Sequence, residues 1–304
     1  MKSLYGLKQA LQAWYEKLTE HFLKLNFKHY DLDDATLFVK KVGKTVVYLV
    51  VYIDDLLMTG NIASIKKELR KGFEMNDLSY VHYSLGIEVT QHPKSIFLSQ
   101  KKYIGDMLNR FDMNECNPLT TLMEQSLKLT SIEVKEFEDA TKYRQLVGSL
   151  NYLTTTRTNI LFFVGILSRF MQKTCEGHWS ATKRVLKYLK GSQDFGIKYT
   201  QMGDFSLIGY SDLDFDGDKE NGVSTLGYGM SLGPRYVSLR SHKQSVPTDS
   251  TIEEEFVAAA EATKEIVWLR KILEDLQVKQ VQSTPFMIDN TSAIKLAKNP
   301  KFHD

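Results

Sequence analysis

The sequence has little of what marks a secreted, zinc-binding or membrane-spanning protein. Its 304 residues include two cysteines, Cys116 and Cys175, which lie far apart and match no metal or redox spacing. The N-terminus carries no apolar signal segment. The main apolar run, over residues 46–58, is too short for a membrane span and contains two acids. We therefore expect no membrane partner and, by default, a cytoplasmic or nuclear protein.

A large excess of charge of one sign is also missing. The formal net charge is +2, so any binding to nucleic acid must come from local basic patches. Hydrophobic residues make up 42% of the chain and charged residues 25%, which is ordinary for a globular protein. The length predicts two domains with a linker layer between them.

Two adjacent acids interrupt the most apolar stretch, Val46–Asn61. Strand-forming residues on both sides predict a hairpin with Asp54 and Asp55 at its turn. Two like charges about 4 Å apart repel by roughly 4 kcal/mol at an effective dielectric constant near 20. Opening the turn to water, protonating one acid or binding a divalent cation would each relieve that repulsion. Aspartate is common in solvated turns, whereas Mg²⁺ prefers such oxygen ligands and serves phosphoryl transfer, and both interpretations stay open here.

Two strings of residues resemble a known family. Tyr52–Asp55 between apolar strands resembles the YxDD box of reverse transcriptases. Ser3–Ala10, followed by Ala13–Tyr15, resembles the SLYGLKQA…AWY segment of copia-type retrotransposon Pol polyproteins. The resemblance implies that Asp54 and Asp55 bind Mg²⁺ in part of a reverse-transcriptase palm.

The same resemblance places Lys8 and Gln9 beside the template and the incoming nucleotide. Leu11 and Gln12 stand where the family usually has Pro-Arg, which removes one candidate phosphate contact. Ser79 stands where the family usually has glycine, so we expect a strained turn there.

Helical and strand periodicities alternate along the first two thirds of the chain. We predict helices over 4–26, 62–73, 143–150, 160–170 and 181–190, and strands over 36–40 and 45–53. Residues 96–113 are predicted to form a short strand at 96–98 and then a helix, and residues 114–140 a polar linker. Thr158 is expected to cap the helix that follows it.

One of these helices, Ala181–Lys190, has a basic face that includes Lys183, Arg184 and Lys187. Such a face could follow a phosphate backbone or simply be solvated. The surrounding residues resemble the family block HWxAxKRVLRYLKG, which implies contact with nucleic acid.

A second set of acids follows residue 205. Short strands over 205–212, 223–232, 236–239 and 284–289, with helices over 251–276 and 291–297, give the order βββαβα of a ribonuclease H-like fold. If the first and fourth strands are parallel neighbours, Asp212 and Asp289 share one crevice and Glu255 points into it. Three carboxylates there would hold two divalent ions. Taken singly, each acid is also explained as a turn residue or as a partner of the helix dipole.

Three more blocks carry the family resemblance in this region. Gly209–Asp212 resembles the start of GYSDADWAG, Ser250–Phe256 resembles SSTEAEY, and Asp289–Ile294 resembles DNxSAI. The resemblance implies that Asp212, Glu255 and Asp289 bind Mg²⁺. Further acids, Asp214, Asp216 and Asp218, crowd charge beside Asp212 and could raise carboxylate pKa values.

The combined expectation is an α+β protein: a partial palm over 1–113, a linker with thumb or connection helices over 114–200, and an RNase H-like domain over 201–304. The resemblance implies RNA-directed DNA polymerase and RNase H chemistry, with an RNA template and primer, an RNA–DNA hybrid, nucleotides and other Pol segments as partners. Relative to the family pattern the chain looks truncated at both ends, so we expect incomplete acid sets and feeble polymerase activity. A nucleic-acid-binding remnant without catalysis, or a pseudogene product, is the alternative.

Overall fold

The computed structural model describes residues 8–32, 35–53, 55–124, 129, 135–201, 205–214, 225–243 and 251–299. Its helices are α1 Lys8–Lys24, α2 Ala63–Gly72, α3 Lys101–Arg110, α4 Ala140–Leu153, α5 Leu161–Ser168, α6 Glu176–Gly191, α7 Thr251–Asp275 and α8 Thr291–Lys298. Its strands are β1 Lys28–Leu32, β2 Ala35–Val42, β3 Thr45–Tyr52, β4 Asp55–Thr59, β5 Tyr83–Ser84, β6 Ile87–His92, β7 Ser95–Ser99, β8 Gly196–Thr200, β9 Leu207–Asp214, β10 Thr225–Leu232, β11 Arg235–Lys243 and β12 Phe286–Ile288. This mixture confirms the α+β class. The chain divides into two compact units, one of 1–81 with 267–282 and one of 82–266 with 283–304.

In the first unit, β1–β4 form an antiparallel sheet in chain order, and α1 and α2 contribute to its core. The buried side chains of β3 are Val47, Leu49 and Val51, while Val50 and Tyr52 between and beyond them are exposed. This alternation is what a strand with one covered face requires. The helical stripe of α1 buries Leu18 and Phe22 against the sheet, as its periodicity predicted.

In the second unit, the helices α3–α6 share one apolar core. Its fully buried members include Ile104, Tyr143, Leu146, Val147, Leu150, Leu153, Ile160, Val164, Leu167, Val185, Leu186 and Leu189. Beside them lies an antiparallel sheet in the order β5-β6-β7-β8, in which β8 pairs with β7 from far earlier in the chain. The described part of the predicted linker wraps onto α6, where Leu119 N donates to Lys187 O over 3.1 Å.

Arg157 is buried in this unit, and each of its three guanidinium nitrogens donates a hydrogen bond. Nη1 and Nη2 donate to the carbonyl and hydroxyl oxygens of Ser192, each over 2.8 Å, and Nε donates to Asn159 Oδ1 over 3.2 Å. Burial lowers the pKa of Arg157. The predicted cap at Thr158 is wrong: Thr158 begins a short 3₁₀ helix, Ile160 occupies the N-cap position of α5, and no described side chain caps either helix.

The second unit also contains a four-stranded sheet in the order β11-β10-β9-β12. β9, β10 and β11 are antiparallel, and β12 lies parallel to β9 at the sheet edge. The chain order β9-β10-β11-α7-β12-α8 follows the predicted succession of strands and helices. Within the described ranges, no helix combines the length and apolarity that a membrane span requires.

Candidate metal centres

The first candidate centre is the turn between β3 and β4. Tyr52 pairs with Asp55, so the loop contains two residues, Ile53 and Asp54. Asp55 begins β4 and is exposed, whereas Asp54 lies outside the described residues. The hairpin that the sequence predicted is therefore present, and its acid Asp55 is open to solvent.

Ile53 adopts a positive φ of +54° in this loop. Two-residue hairpin loops favour positive φ values, which glycine and asparagine accept more easily than a β-branched residue. Holding an isoleucine there costs about 1–3 kcal/mol, so other contacts must keep the loop in place.

Two side chains from other elements hold the approach to this turn. Trp14 Nε1 on α1 donates to the carbonyl oxygen of Ile53 over 3.1 Å. The Thr36 hydroxyl on β2 donates to the carbonyl oxygen of Val51. The sequence motif had singled out Trp14, but its spacing carried no sign of contact with a turn 39 residues later.

The second candidate centre is at one end of the β9–β12 pair. Ile288 lies opposite Ser211 in this parallel pair, and the next residue of each chain is Asp289 and Asp212. Asp212 on β9 and Asp289, directly after β12, therefore lie side by side at the same height along the sheet. Asp289 is exposed, and the side chain of Asp212 lies outside the described part of the chain.

Asp289 is placed between β12 and a well-capped helix. The Asn290 side chain accepts hydrogen bonds from Ser292 N and Ala293 N, over 2.9 and 3.0 Å, and so begins α8. Asparagine is among the best residues for this role. The acid therefore follows directly from a strand and precedes a helix start, with little freedom in its backbone.

The direction of α7 decides where Glu255 lies. Ser238 Oγ donates to Glu265 Oε1 over 2.7 Å, and further along β11 His242 Nε2 lies 3.0 Å from Glu261 Oε2. Moving toward the C-terminus of β11, from Ser238 to His242, therefore means moving toward the N-terminus of α7, from Glu265 to Glu261. The helix runs antiparallel to β11 and also to β9, because both strands are antiparallel to β10.

The position of Glu255 follows from the direction of α7. It lies on the buried face of α7, 8% exposed, about 9 Å beyond Glu261 toward the N-terminus of the helix. That is the end of the sheet where β9 reaches Asp212 and β12 reaches Asp289. The structure thus brings the three predicted positions to one end of one sheet.

These donors fit a hard divalent ion by their chemistry, since all are carboxylates. Among the described side chains, no group of three or more His, Cys, Asp or Glu residues is close enough to hold a metal. The described side chains do not include those of Asp54 and Asp212. Asp54 belongs to the first candidate centre and Asp212 to the second.

The predicted nucleic-acid contacts have varied surroundings. Arg184 donates to Glu124 Oε1 and Thr121 Oγ1, each over 2.9 Å, so the chain after α3 partly neutralises it. Lys183 lies 5.8 Å from the centre of the Trp179 ring, and Lys187 is partly exposed. Lys8 and Gln9 begin α1, and their side chains lie outside the described residues.

Comparison with known proteins gives the class of this one. Residues 1–125 match the family described as reverse transcriptase (RNA-dependent DNA polymerase). Enzymes of that class generally use divalent metal ions and act on a nucleic-acid template and primer. No solved structure matches the chain significantly.

Relatives of similar sequence narrow the class further. The chain is 40% identical to the retrovirus-related Pol polyprotein from transposon RE1 of Arabidopsis thaliana over 99% of its own length and 21% of the relative's. It is 33% identical to an uncharacterized mitochondrial protein of the same plant, over 73% of this chain and 94% of that one. It is 30% identical to a putative transposon Ty5-1 protein of Saccharomyces cerevisiae, over 86% and 87%. The chain belongs to the copia-type retrotransposon Pol polyproteins, and it spans about a fifth of the length of the full polyprotein from transposon RE1.

Proposed function

We propose that this chain carries two centres for divalent-metal-dependent phosphoryl transfer on nucleic acid. The end of the β9–β12 sheet hydrolyses the RNA strand of an RNA–DNA hybrid, and the β3–β4 turn takes part in nucleotide addition. The observation that carries the hydrolytic half is the parallel register that makes Asp212 and Asp289 level, with Glu255 at the same end of the sheet.

The assignment of residues 201–304 to an RNase H-like fold rests on topology. The order βββαβα, with the fourth strand parallel to the first, supports it. Residues 1–113 as a partial palm and 114–200 as a thumb or connection region rest on the family resemblance and stay predictions. Other segments of a Pol polyprotein are proposed partners.

In the hydrolytic centre, Asp212, Glu255 and Asp289 would hold the ions. Two Mg²⁺ ions supply an activated water and charge stabilisation of the leaving oxygen when bound. Burial of Glu255 keeps its carboxylate in a low-dielectric surrounding, where attraction to a cation is stronger than in water. Lys183 and Lys187 on α6 would contact the phosphate backbone.

Cleavage of a labelled RNA–DNA hybrid by the purified chain, with Mg²⁺ or Mn²⁺, tests the hydrolytic half. Asp289→Asn should lower the rate by about 100-fold or more, because the exposed ligand charge is lost. Asp194→Asn is the matched control: Asp194 is an exposed acid of the same unit, paired with Lys101 at 2.6 Å, and its loss should leave the rate unchanged.

Two results would contradict the proposed hydrolytic function. Cleavage that persists in Asp289→Asn would show that the acid does not take part. Salt-dependent binding of the hybrid without any cleavage would support a binding remnant instead.

Primer extension with and without Asp55→Asn tests the polymerase half. We expect weak extension that the substitution abolishes. Robust extension by the variant would show that Asp55 does not take part in nucleotide addition.

A further inference from the structure

The sequence motif Ala13–Tyr15 lies far from the acidic turn in the chain, and no part of the proposed chemistry uses it. In the structure, α1 carries an aromatic and aliphatic stripe, Trp14, Leu18 and Phe22, at steps of four. Leu18 and Phe22 are buried in the core of the first unit. Trp14 continues the stripe one turn further, to the rim of that core, where β3 ends.

Trp14 is held there from two sides. Its ring packs edge-on against Phe73, with centroids 5.3 Å apart and planes at 84°. The next residue, Tyr15, has its hydroxyl hydrogen-bonded to His29 Nε2 of β1 over 3.0 Å, which fixes this part of α1 along the sheet. The indole is therefore presented to the turn in one orientation.

The indole N–H uses that orientation to bind the Ile53 carbonyl. This is the carbonyl of the peptide that leads into Asp54, at the one described residue of the loop with positive φ. A strained loop relaxes unless contacts with the surrounding structure hold it in place. The hydrogen bond restrains the plane of this peptide at the entry to the acidic turn.

We propose that Trp14 is a positioning residue of the acidic turn: its indole N–H holds Ile53 in the left-handed conformation that lets the turn bind a divalent cation. This inference rests on the proposed metal-binding role of the turn. In this role Trp14 acts through the Ile53 carbonyl.

The test uses the full chain labelled with ¹⁵N at its three tryptophan indoles, Trp14, Trp179 and Trp268. Mn²⁺ is the probe, because its paramagnetic broadening falls steeply with distance. We expect the Trp14 signal to broaden at the lowest Mn²⁺ concentration, and Asp55→Asn to abolish that effect.

Trp14→Phe then removes the N–H and retains a ring against Phe73. With the broadening of the ¹⁵N-labelled Asp55 backbone amide as the readout, we expect Mn²⁺ affinity at the turn to fall about fivefold, the worth of one hydrogen bond. Trp268→Phe, at a partly exposed indole on α7, is the control and should leave the affinity unchanged.

A rescue separates positioning from simple packing. Asparagine accepts positive φ more readily than isoleucine. In the double variant Trp14→Phe with Ile53→Asn, the affinity should therefore return to within about twofold of the unaltered chain. A loss that Ile53→Asn does not rescue would mean that Trp14 acts through packing alone, and it would overturn the proposal.

The unaltered chain provides a second test that does not depend on any variant folding. Coupling is reciprocal, so if the hydrogen bond favours the cation, the cation favours the hydrogen bond by the same factor. Saturating Mg²⁺ should slow hydrogen exchange of the Trp14 indole about fivefold and leave Trp268 unaffected. An unchanged exchange rate would overturn the inference.

The two possible failures differ in their signals. If Mn²⁺ leaves the Trp14 signal sharp, the turn binds no cation, and the proposed polymerase centre falls together with this inference. The other failure is that the Trp14 signal of the unaltered chain broadens while Trp14→Phe binds Mn²⁺ with undiminished affinity. In that case the turn does bind a cation, and only the positioning role of Trp14 is overturned.

Discussion

Two glycines next to the acidic hairpin have positive φ values and very different surroundings. Gly43, between β2 and β3, has φ +63° and no heavy atom within 4 Å of the place where a Cβ would lie. Gly60, just after β4, has φ +107°, and a Cβ there would be 2.4 Å from Val46 O. The backbone of β3 therefore passes closely over Gly60, and any side chain would push the hairpin strands apart.

Gly60→Ala should consequently destabilise the protein by about 3 kcal/mol or more, since it combines an unfavourable φ with overpacking against backbone. Gly43→Ala is its matched control and should cost about 1 kcal/mol, from φ alone. Urea denaturation of both variants measures the two free energies of unfolding. Equal losses would show that conformation alone, and not space, restricts Gly60.

At the scale of elements, a carboxylate ties α2 to the segment that follows it. Asp77 accepts hydrogen bonds from Lys66 Nζ over 2.9 Å and from Ser79 N over 3.0 Å, and it pairs with Arg70 at 3.3 Å. Ser79 has φ +61°, which confirms the strained turn expected where the family has glycine. The side chain of Asp77 thus stabilises a turn that its neighbour makes unfavourable.

This arrangement predicts a pH dependence. The hydrogen bond from Lys66, followed by that from Ser79, lowers the pKa of Asp77. A carboxyl whose folded-state pKa is lowered stabilises the protein above its ordinary pKa, and the stabilisation is lost as the pH falls through the lowered value. The difference in unfolding free energy between the unaltered chain and Asp77→Asn should therefore be present near neutral pH and vanish in strong acid.

An NMR titration of the Asp77 side chain checks the cause. Lys66→Met should bring the Asp77 pKa back toward its ordinary range. A pKa that stays low in that variant would assign the shift to the Ser79 amide and to Arg70 instead.

At the scale of the molecule, we expect tyrosines with raised pKa values to limit stability in alkali. Burial raises the pKa of Tyr48, Tyr143 and Tyr199. Tyr143 lies in the helical core, and its hydroxyl donates to Leu167 O over 2.7 Å. Ionising such a phenol inside the core costs far more than ionising it in the unfolded chain.

A phenol whose folded-state pKa is raised contributes fully below its ordinary pKa, and that contribution declines as the pH rises toward the folded value. Tyr143→Phe should cost about 1 kcal/mol at neutral pH through the lost hydrogen bond. Its stability should then fall less steeply above the ordinary tyrosine pKa than that of the unaltered chain. Unfolding curves from neutral to alkaline pH measure this, with Tyr236→Phe, at a largely exposed ring, as the control.

Parallel curves for the unaltered chain and Tyr143→Phe would contradict this prediction. They would show that another group determines the alkaline limit.

Local pattern was sufficient for most of the elements. The steps of three and four in α1, α2 and α7 and the run of strand-forming residues in β3 located these elements to within a few residues. Helix α6 begins at Glu176, before the predicted start at Ala181. The strands β1 and β8 escaped prediction, because KHYDL and GIKYT are each only five residues long, and they are strands through pairing with β2 and β7. The partner of β8, β7, lies far earlier in the chain, and such a pairing leaves no trace in a short window of sequence.

The sequence by itself determined which side chains carry chemistry: an acidic pair between strand formers, and three acids within a βββαβα pattern. Only tertiary structure decided that Asp212 and Asp289 are level, that α7 runs antiparallel to β9, and that Trp14 reaches the carbonyl of Ile53. Periodicity is a property of neighbours along the chain, whereas register, helix direction and contacts between remote residues result from the packing of whole elements.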